Sequence, residues 1–356
     1  MGPIGRAARV FAGVLALGGA TAQAGTTVES IRKAGVLRCG IDRSEAEFSL
    51  SDEHGSRLAF DQDICKAVAV AVLGVDAKVA VKTFPDDQTS LAALRAGSVD
   101  LVASVSVDFS HQTAAGIGFS RPVLYDGQAL MVLLSSHISS AAGLGGKTVC
   151  FLDGTEGADA LRAWFLRQRV DFWPFPFQEQ GEMEAAFVTG NCAALAGDIT
   201  RLAATRLALG VEAAKYAILP ELLSKDPLAV AYVSSDEDWG RVIRWTLEVL
   251  IQAEESGVTA ANFEMTNLEK TNLEKTNFEK MQTSQDPAVR RLVGATHELG
   301  EPLGLDAMWA AHVVKVVGNY GEIFERDLGS GSALKLPRGR NALWKNGGLM
   351  EALPLK

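Results

Sequence analysis

Cys39, Cys65, Cys150 and Cys192 are the side chains of this 356-residue chain best suited to covalent chemistry. An even count behind a secretory leader favours disulfides over metal or redox chemistry. Three pairings are possible, and the order along the chain suggests local closure, Cys39 with Cys65 and Cys150 with Cys192. Free buried cysteine is the other reading, because an apolar interior also suits this residue. Catalytic signatures are absent: no H-E-x-x-H, G-x-S-x-G or phosphate-cradling glycine motif occurs, so metal hydrolysis, serine-nucleophile and nucleotide chemistry have no support. A net charge of −9 without a basic patch argues against a nucleic-acid partner.

The leader is read at the N-terminus, where Arg6 and Arg9 precede the apolar run Val10 to Ala20 and then Ala22-Gln23-Ala24. These are the n-region, h-region and A-x-A site of a secretory signal, with cleavage expected after Ala24 and the mature chain starting at Gly25. The apolar run is shorter than the ~20 residues of a transmembrane helix and is rich in glycine. The chain length allows two domains of roughly 150 residues, each burying its own core.

From Val36 onward, short strand patterns alternate with helical ones. Val36 to Ile41 reads as a strand, Phe60 to Leu73 as a helix, Lys78 to Thr83 as a strand, Gln88 to Ala96 as a helix and Val99 to Ser104 as a strand. This βαβαβ order implies a parallel sheet with helices on both faces, which binds ligands beyond the carboxyl ends of its strands. The pattern restarts after Ala129 to Leu134. Strands are expected at Lys147 to Leu152 and Ala193 to Ala196, and helices at Gly157 to Gln168, at Glu182 to Thr189 and from Thr200. The strand-like run Pro227 to Val233 reads as a return crossing to the first unit. It precedes a helix, Asp236 to Glu255, whose Trp239, Val242, Ile243, Leu247, Leu250 and Ile251 share one face. Residues 261–280 are four pentapeptides sharing x-Asn-[Leu/Phe]-Glu. Four units make one coil of a solenoid, too few to bury a core, so the tract is expected to project as an exposed loop or frayed helix.

In order and spacing, several segments resemble the general L-amino-acid solute-binding proteins of ABC importers (family 3, also called the cluster 3 type). They are Ala59-Phe60-Asp61-Gln62-Asp63-Ile64-Cys65-Lys66-Ala67-Val68-Ala69, Tyr125-Asp126-Gly127-Gln128, Leu219-Pro220-Glu221, Gly318 to Arg326 and Arg338 to Trp344. The resemblance covers nearly all of the mature chain, and all four cysteines fall where that family has them. It implies an α/β type II periplasmic binding protein, two α/β lobes joined by two crossing strands, with a ligand clamped between them by hinge closure. The lobes would be residues 25–128 with 229–356, carrying the 261–280 insert, and residues 129–228. It also implies a periplasmic location, a small polar solute as ligand, an ABC permease in the inner membrane as partner, a monomeric state, and no cofactor, metal or catalytic activity.

A zwitterionic amino acid needs an arginine fork and backbone N–H groups for its carboxylate and an acid for its ammonium. By the resemblance, Gly154 and Thr155, followed by Glu156, form the carboxylate-side turn of the second lobe, Asp198 binds the ammonium, and Phe48 covers the ligand from the first lobe. The residues themselves also allow plain structural roles: Asp198 as a helix N-cap, Thr155 as a turn residue, Phe48 as a core residue. The polar run after the third strand contributes Ser104 and Ser106, and there relatives carry the carboxylate-binding arginine. This chain has no arginine there; counting back from Phe119 puts His111 in its place. Glu45, Glu47, Asp108, Asp153 and Glu156 add acids, so the cleft is expected to be acidic and arginine-free, favouring an amine-bearing or less charged solute. Two alternatives are a sensor or scaffold paralogue without transport function and a cyclohexadienyl-dehydratase-like enzyme with Glu156 as its acid.

Overall fold

The computed structural model describes residues 27–42, 57–263, 277–296 and 298–356. The signal segment, Phe48 with Glu45 and Glu47, and the middle of the pentapeptide tract lie outside the described residues. Helix α1 (Thr27–Ala34) leads into β1 (Leu37–Asp42), α2 (Arg57–Leu73), β2 (Val79–Phe84), α3 (Asp87–Arg95), β3 (Leu101–Ser106), the short α4 (Phe109–Gln112) and β4 (Ile117–Asp126). Next come β5 (Gln128–Leu133), β6 (Thr148–Leu152), α5 (Glu156–Gln168), β7 (Trp173–Phe177), α6 (Gln180–Val188), β8 (Ala194–Asp198), α7 (Ile199–Ala208) and β9 (Tyr216–Ile218). The chain closes with β10 (Asp226–Val233), α8 (Glu237–Glu255), α9 (Asn277–Gln282), α10 (Pro287–Leu292), α11 (Trp309–Val317) and α12 (Tyr320–Asp327). Among the described residues, no helix is long and apolar enough to cross a membrane.

These strands form two five-stranded mixed sheets, ordered β2-β1-β3-β10-β4 and β7-β6-β8-β5-β9. In the first, β1 runs parallel to β2 and β3, as the βαβαβ reading requires, while β10 is antiparallel to both β3 and β4. In the second, β6 is parallel to β7 and β8, and β5 is antiparallel to β8 and β9. The chain passes from β4 in the first sheet to β5 in the second through Gly127 alone. It returns through residues 219–225 into β10, and Asp226 pairs with Asp126 where the two passages lie side by side. A side chain at residue 127 would collide with the Ser224 carbonyl 2.8 Å away, and its φ is +150°, so glycine lets the two passages approach.

The largest core surrounds α2. This helix is apolar on nearly every side, with Phe60, Ile64, Cys65, Val68 and Val70 fully buried, as expected of a helix enclosed by others. Trp239, Val242, Ile243, Leu247, Leu250 and Ile251 of α8 are all buried against it, and the Trp239 indole donates to the Asp100 carbonyl at 2.8 Å. Two smaller apolar clusters lie on either side of the second sheet, one with Phe151, Leu161 and Phe165, the other with Met131, Phe187 and Leu195. Disulfides join Cys39 of β1 to Cys65 of α2 and Cys150 of β6 to Cys192, each pinning a helix or its exit to a strand. The pentapeptide tract differs from its expectation at its end: Phe278 and Met281 of α9 pack against the α2 core, so the last repeat contributes to it rather than projecting.

Candidate functional site

A cavity of about 350 Å³ opens between the two sheets beside the crossing passages, within the range of roughly 300–1,000 Å³ typical of small-molecule sites. Ser106 reaches it from the end of β3, Gln128 from the start of β5, Thr155 and Glu156 from the entry to α5, Asp198 and Arg201 from the entry to α7, and Ser224, Lys225 and Asp226 from the return passage. Phe151, Leu152, Met183 and Ala196 supply apolar wall. The β6, β8 and β10 ends place their following or preceding turns here, where open α/β sheets bind ligands.

Gly154 has φ +71°, a conformation that favours glycine, and turns the chain from β6 into α5. It lies just outside the cavity lining. Thr155 is the N-cap: its hydroxyl oxygen accepts the Ala158 amide at 3.1 Å and its O–H donates to the Leu152 carbonyl at 3.0 Å. The turn role of Thr155 is therefore real, and it aims the α5 N-terminus, with its positive dipole end, at the cavity.

Asp198 occupies the N-cap position of α7, yet its side chain makes no capping hydrogen bond. Asp126 does that work instead: its carboxylate accepts the Ile199 amide at 3.0 Å, the Gly127 amide at 2.8 Å and the Thr200 hydroxyl. The Asp198 carboxylate accepts from the Gln128 side-chain amide at 2.9 Å and faces the cavity. Ser106 donates to Asp226 at 3.1 Å, and Ser224 accepts the Gln128 amide at 2.9 Å, so the polar lining is cross-linked between the sheets' connecting segments.

The cavity contains an arginine. Arg201 sits one turn into α7, three residues after Asp198, so both project from the same helix end. Its guanidinium donates to the Gln180 side-chain carbonyl, while the Gln180 amide donates to Glu184 at 2.8 Å. Among the described residues neither Arg201 nor the exposed Lys225, which also lines the cavity, pairs with a carboxylate. Three carboxylates, Glu156, Asp198 and Asp226, and two cations thus line one cavity. The expectation of an arginine-free cleft is overturned: the guanidinium comes from the second sheet's helix instead of the first sheet's loop.

The structure separates several expected site residues from this cavity. Ser104 is buried, and its hydroxyl donates to Asp61 beneath the sheet. Ser104 adopts φ +51° and β10 slips register against β3 at Ala229/Ala231, so the strand bends and Ser104 and Ser106 point to different surroundings despite their even spacing. His111 lies on α4, outside the cavity lining, with its Nδ1 2.7 Å from the Asp108 carboxylate. Asp108 in turn caps α4. Burial works to raise the Asp108 pKa, but hydrogen bonds from the Ser110 hydroxyl and the His111 amide, with the imidazole alongside, bring it below the ordinary carboxylate value. Asp153 turns away to pair with Arg162 at 2.7 Å, which lowers its pKa. Of the expected residues, Ser106, Thr155, Glu156 and Asp198 share the cavity; Gly154 sets the turn at its edge, and Phe48 lies outside the described residues.

No family model matches the chain. It is 36% identical over 352 residues, 98% of both chains, to the general L-amino acid-binding periplasmic protein AapJ of Rhizobium johnstonii. It is 36% identical over 339 residues, 95% of both chains, to the glutamate/glutamine/aspartate/asparagine-binding protein BztA of Rhodobacter capsulatus. A solved ABC transporter/periplasmic binding protein from Brucella ovis, with glutathione bound, superposes with a TM-score of 0.75 at 34% identity, covering 93% of this chain and 99% of its own.

Proposed function

Because the chain belongs to the periplasmic amino-acid-binding proteins of ABC importers, we propose that its cavity captures a solute bearing both an ammonium and at least one carboxylate. An amino acid or a short peptide of the glutathione kind fits that description. The observation that carries this reading is the charge pattern: two cations without carboxylate partners and three carboxylates around one cavity between two sheets. Arg201 offers a planar fork for the carboxylate, with the α5 amides after Thr155 beside it. Asp198, oriented by Gln128, takes the ammonium. Lys225, Glu156 and Asp226 at the return passage meet the solute's remaining polar groups.

On this reading, residues 25–126 with 226–356 form one lobe and 128–225 the other, so Gln128 and residues 226–228 change sides from the division that the resemblance implies. They close on the solute by bending at Gly127 and at residues 224–226, and the closed form is presented to the permease of the importer. The mature chain starts at Gly25 after secretion and acts as a monomer that releases its solute chemically unchanged. Relatives support the range of solutes: one is named for general L-amino acids and another was solved with glutathione.

A ligand bound only by the native state raises apparent stability by about 2.7 kcal/mol at a hundredfold excess over Kd. A thermal-shift panel on the mature protein tests the reading. Glutathione or one of the L-amino acids should raise the melting temperature by several degrees, whereas putrescine and spermidine, which lack a carboxylate, should not. A shift with polyamines alone would sink the assignment of Arg201.

A further inference from the structure

A second cavity, of about 300 Å³, lies behind the crossing passages and shares no lining residue with the first. Its walls come from the tip of β4 (Leu124 to Asp126), from the outer side of α7, from Ile218 to Pro220 before the return passage, and from the C-terminal segment Lys335 to Asn341. Most of this surface is aliphatic, with Ile218, Leu219, Pro220, Leu328 and Leu336 among the contributors.

Its charge is one-sided. Arg206 of α7 is half-buried in the wall and donates to the Leu334 carbonyl at 2.9 Å. It pairs with no carboxylate among the described residues, and burial alone draws its pKa below the ordinary guanidinium value. Lys335 and Arg340 stand exposed at the mouth, and neither pairs with a carboxylate among the described residues. The acid on the lining, Asp126, already receives the Gly127 and Ile199 amides and the Thr200 hydroxyl. Arg338, the remaining cation, is held by Glu254 at 3.1 Å and by the Asn341 carbonyl. A half-buried guanidinium gives up part of its hydration, and an anion in the cavity would compensate it.

From this arrangement we infer a second ligand site, independent of the reading of the cleft, for a small amphipathic carboxylate whose head meets Arg206 and whose apolar body fills the aliphatic pocket. Head and tail must both contribute: the apolar body gains from burying its methylenes against the aliphatic wall, and the cation gains a counter-ion.

Calorimetric titration of the whole mature protein tests it with three probes: octanoate, acetate as head alone and 1-octanol as tail alone. Octanoate should bind one to one, at least tenfold tighter than either fragment. Arg206→Gln should weaken octanoate at least tenfold, and Asp198→Asn, in the other cavity, should leave it within twofold. If Arg206→Gln does not fold, as judged by circular dichroism, the surface pair Lys335→Gln/Arg340→Gln should weaken octanoate severalfold. Octanoate no tighter than acetate or octanol, unchanged affinity in the cavity variants, or loss of octanoate binding in Asp198→Asn would each overturn the assignment.

Discussion

Asp327, the last residue of α12, is a buried acid whose surroundings favour the protonated form, and this should be measurable as a pH dependence of stability. Its side chain is 3% exposed, 3.5 Å from the Arg326 guanidinium, which also holds Asp63 of α2. Burial is the main cause of its shift; the Asp63 charge adds to it, Arg326 opposes it, and the result is a pKa pushed up to about 8. In the unfolded chain an aspartate ionises near 3.9. Between about pH 4 and 8 the folded protein therefore binds more protons than the unfolded one, so this acid makes stability fall as pH rises through that window. The slope can reach about 1.4 kcal/mol per pH unit for one proton. Asp327→Asn keeps the shape and abolishes the titration. Urea unfolding of wild type and variant at pH 5 and pH 8 gives the comparison, and titrating groups that do not interact with residue 327 cancel in the difference. The variant should gain on wild type by about 1–4 kcal/mol between the two pH values. Parallel pH profiles, or a variant that loses ground at pH 8, would refute the reasoning.

Four shorter expectations concern the other elements. His111→Ala should leave solute affinity within twofold and cost under about 1 kcal/mol of stability, because its partly exposed pair with Asp108 lies outside the cavity; a tenfold loss of affinity in a titration would contradict this placement. Phe278→Ala should cost about 1–2 kcal/mol in urea unfolding, since this half-buried ring packs on the α2 core. Deleting Thr266 to Lys275 should leave the melting temperature within a degree or two, and a larger loss would mean that those repeats are also packed. Serine at both Cys150 and Cys192 should cost about 2–4 kcal/mol, and an unchanged denaturation midpoint under oxidising conditions would count against the bridge.

The parts of the fold visible in the sequence were those where each element carries its own period. The aliphatic face of α8 and the βαβαβ order of β1 to β3 depend on residues that alternate locally. Strands β4, β7 and β9 escaped the same reading for identifiable reasons. Pro122 lies in β4, and Pro174 and Pro176 lie in β7; both strands are sheet edges, where a missing N–H is tolerated. Strand β9 is three residues long. At the site, Thr155, Glu156 and Asp198 are legible through the resemblance, and they lie at or just beyond the ends of β6 and β8. Arg201 was missed although its i,i+3 relation to Asp198 was present in the sequence. His111 was misplaced because residue counting through a loop carries no information about direction. Ser104 failed for a tertiary reason, since its positive φ and the slipped register of β10 break the side alternation that the strand pattern assumes.

The central claim is that one cavity holds both ends of an amino-acid-type solute through Arg201 and Asp198. Isothermal titration of L-glutamine and of glutathione into the mature wild type, Arg201→Ala and Asp198→Ala at pH 7.5 tests it most directly. One of the two solutes should bind wild type one to one at micromolar Kd or tighter. Each substitution, by leaving one end of the solute unpaired, should cost about 2–5 kcal/mol, a loss of roughly thirtyfold to several thousandfold. Wild-type binding that persists undiminished in both variants would contradict the account.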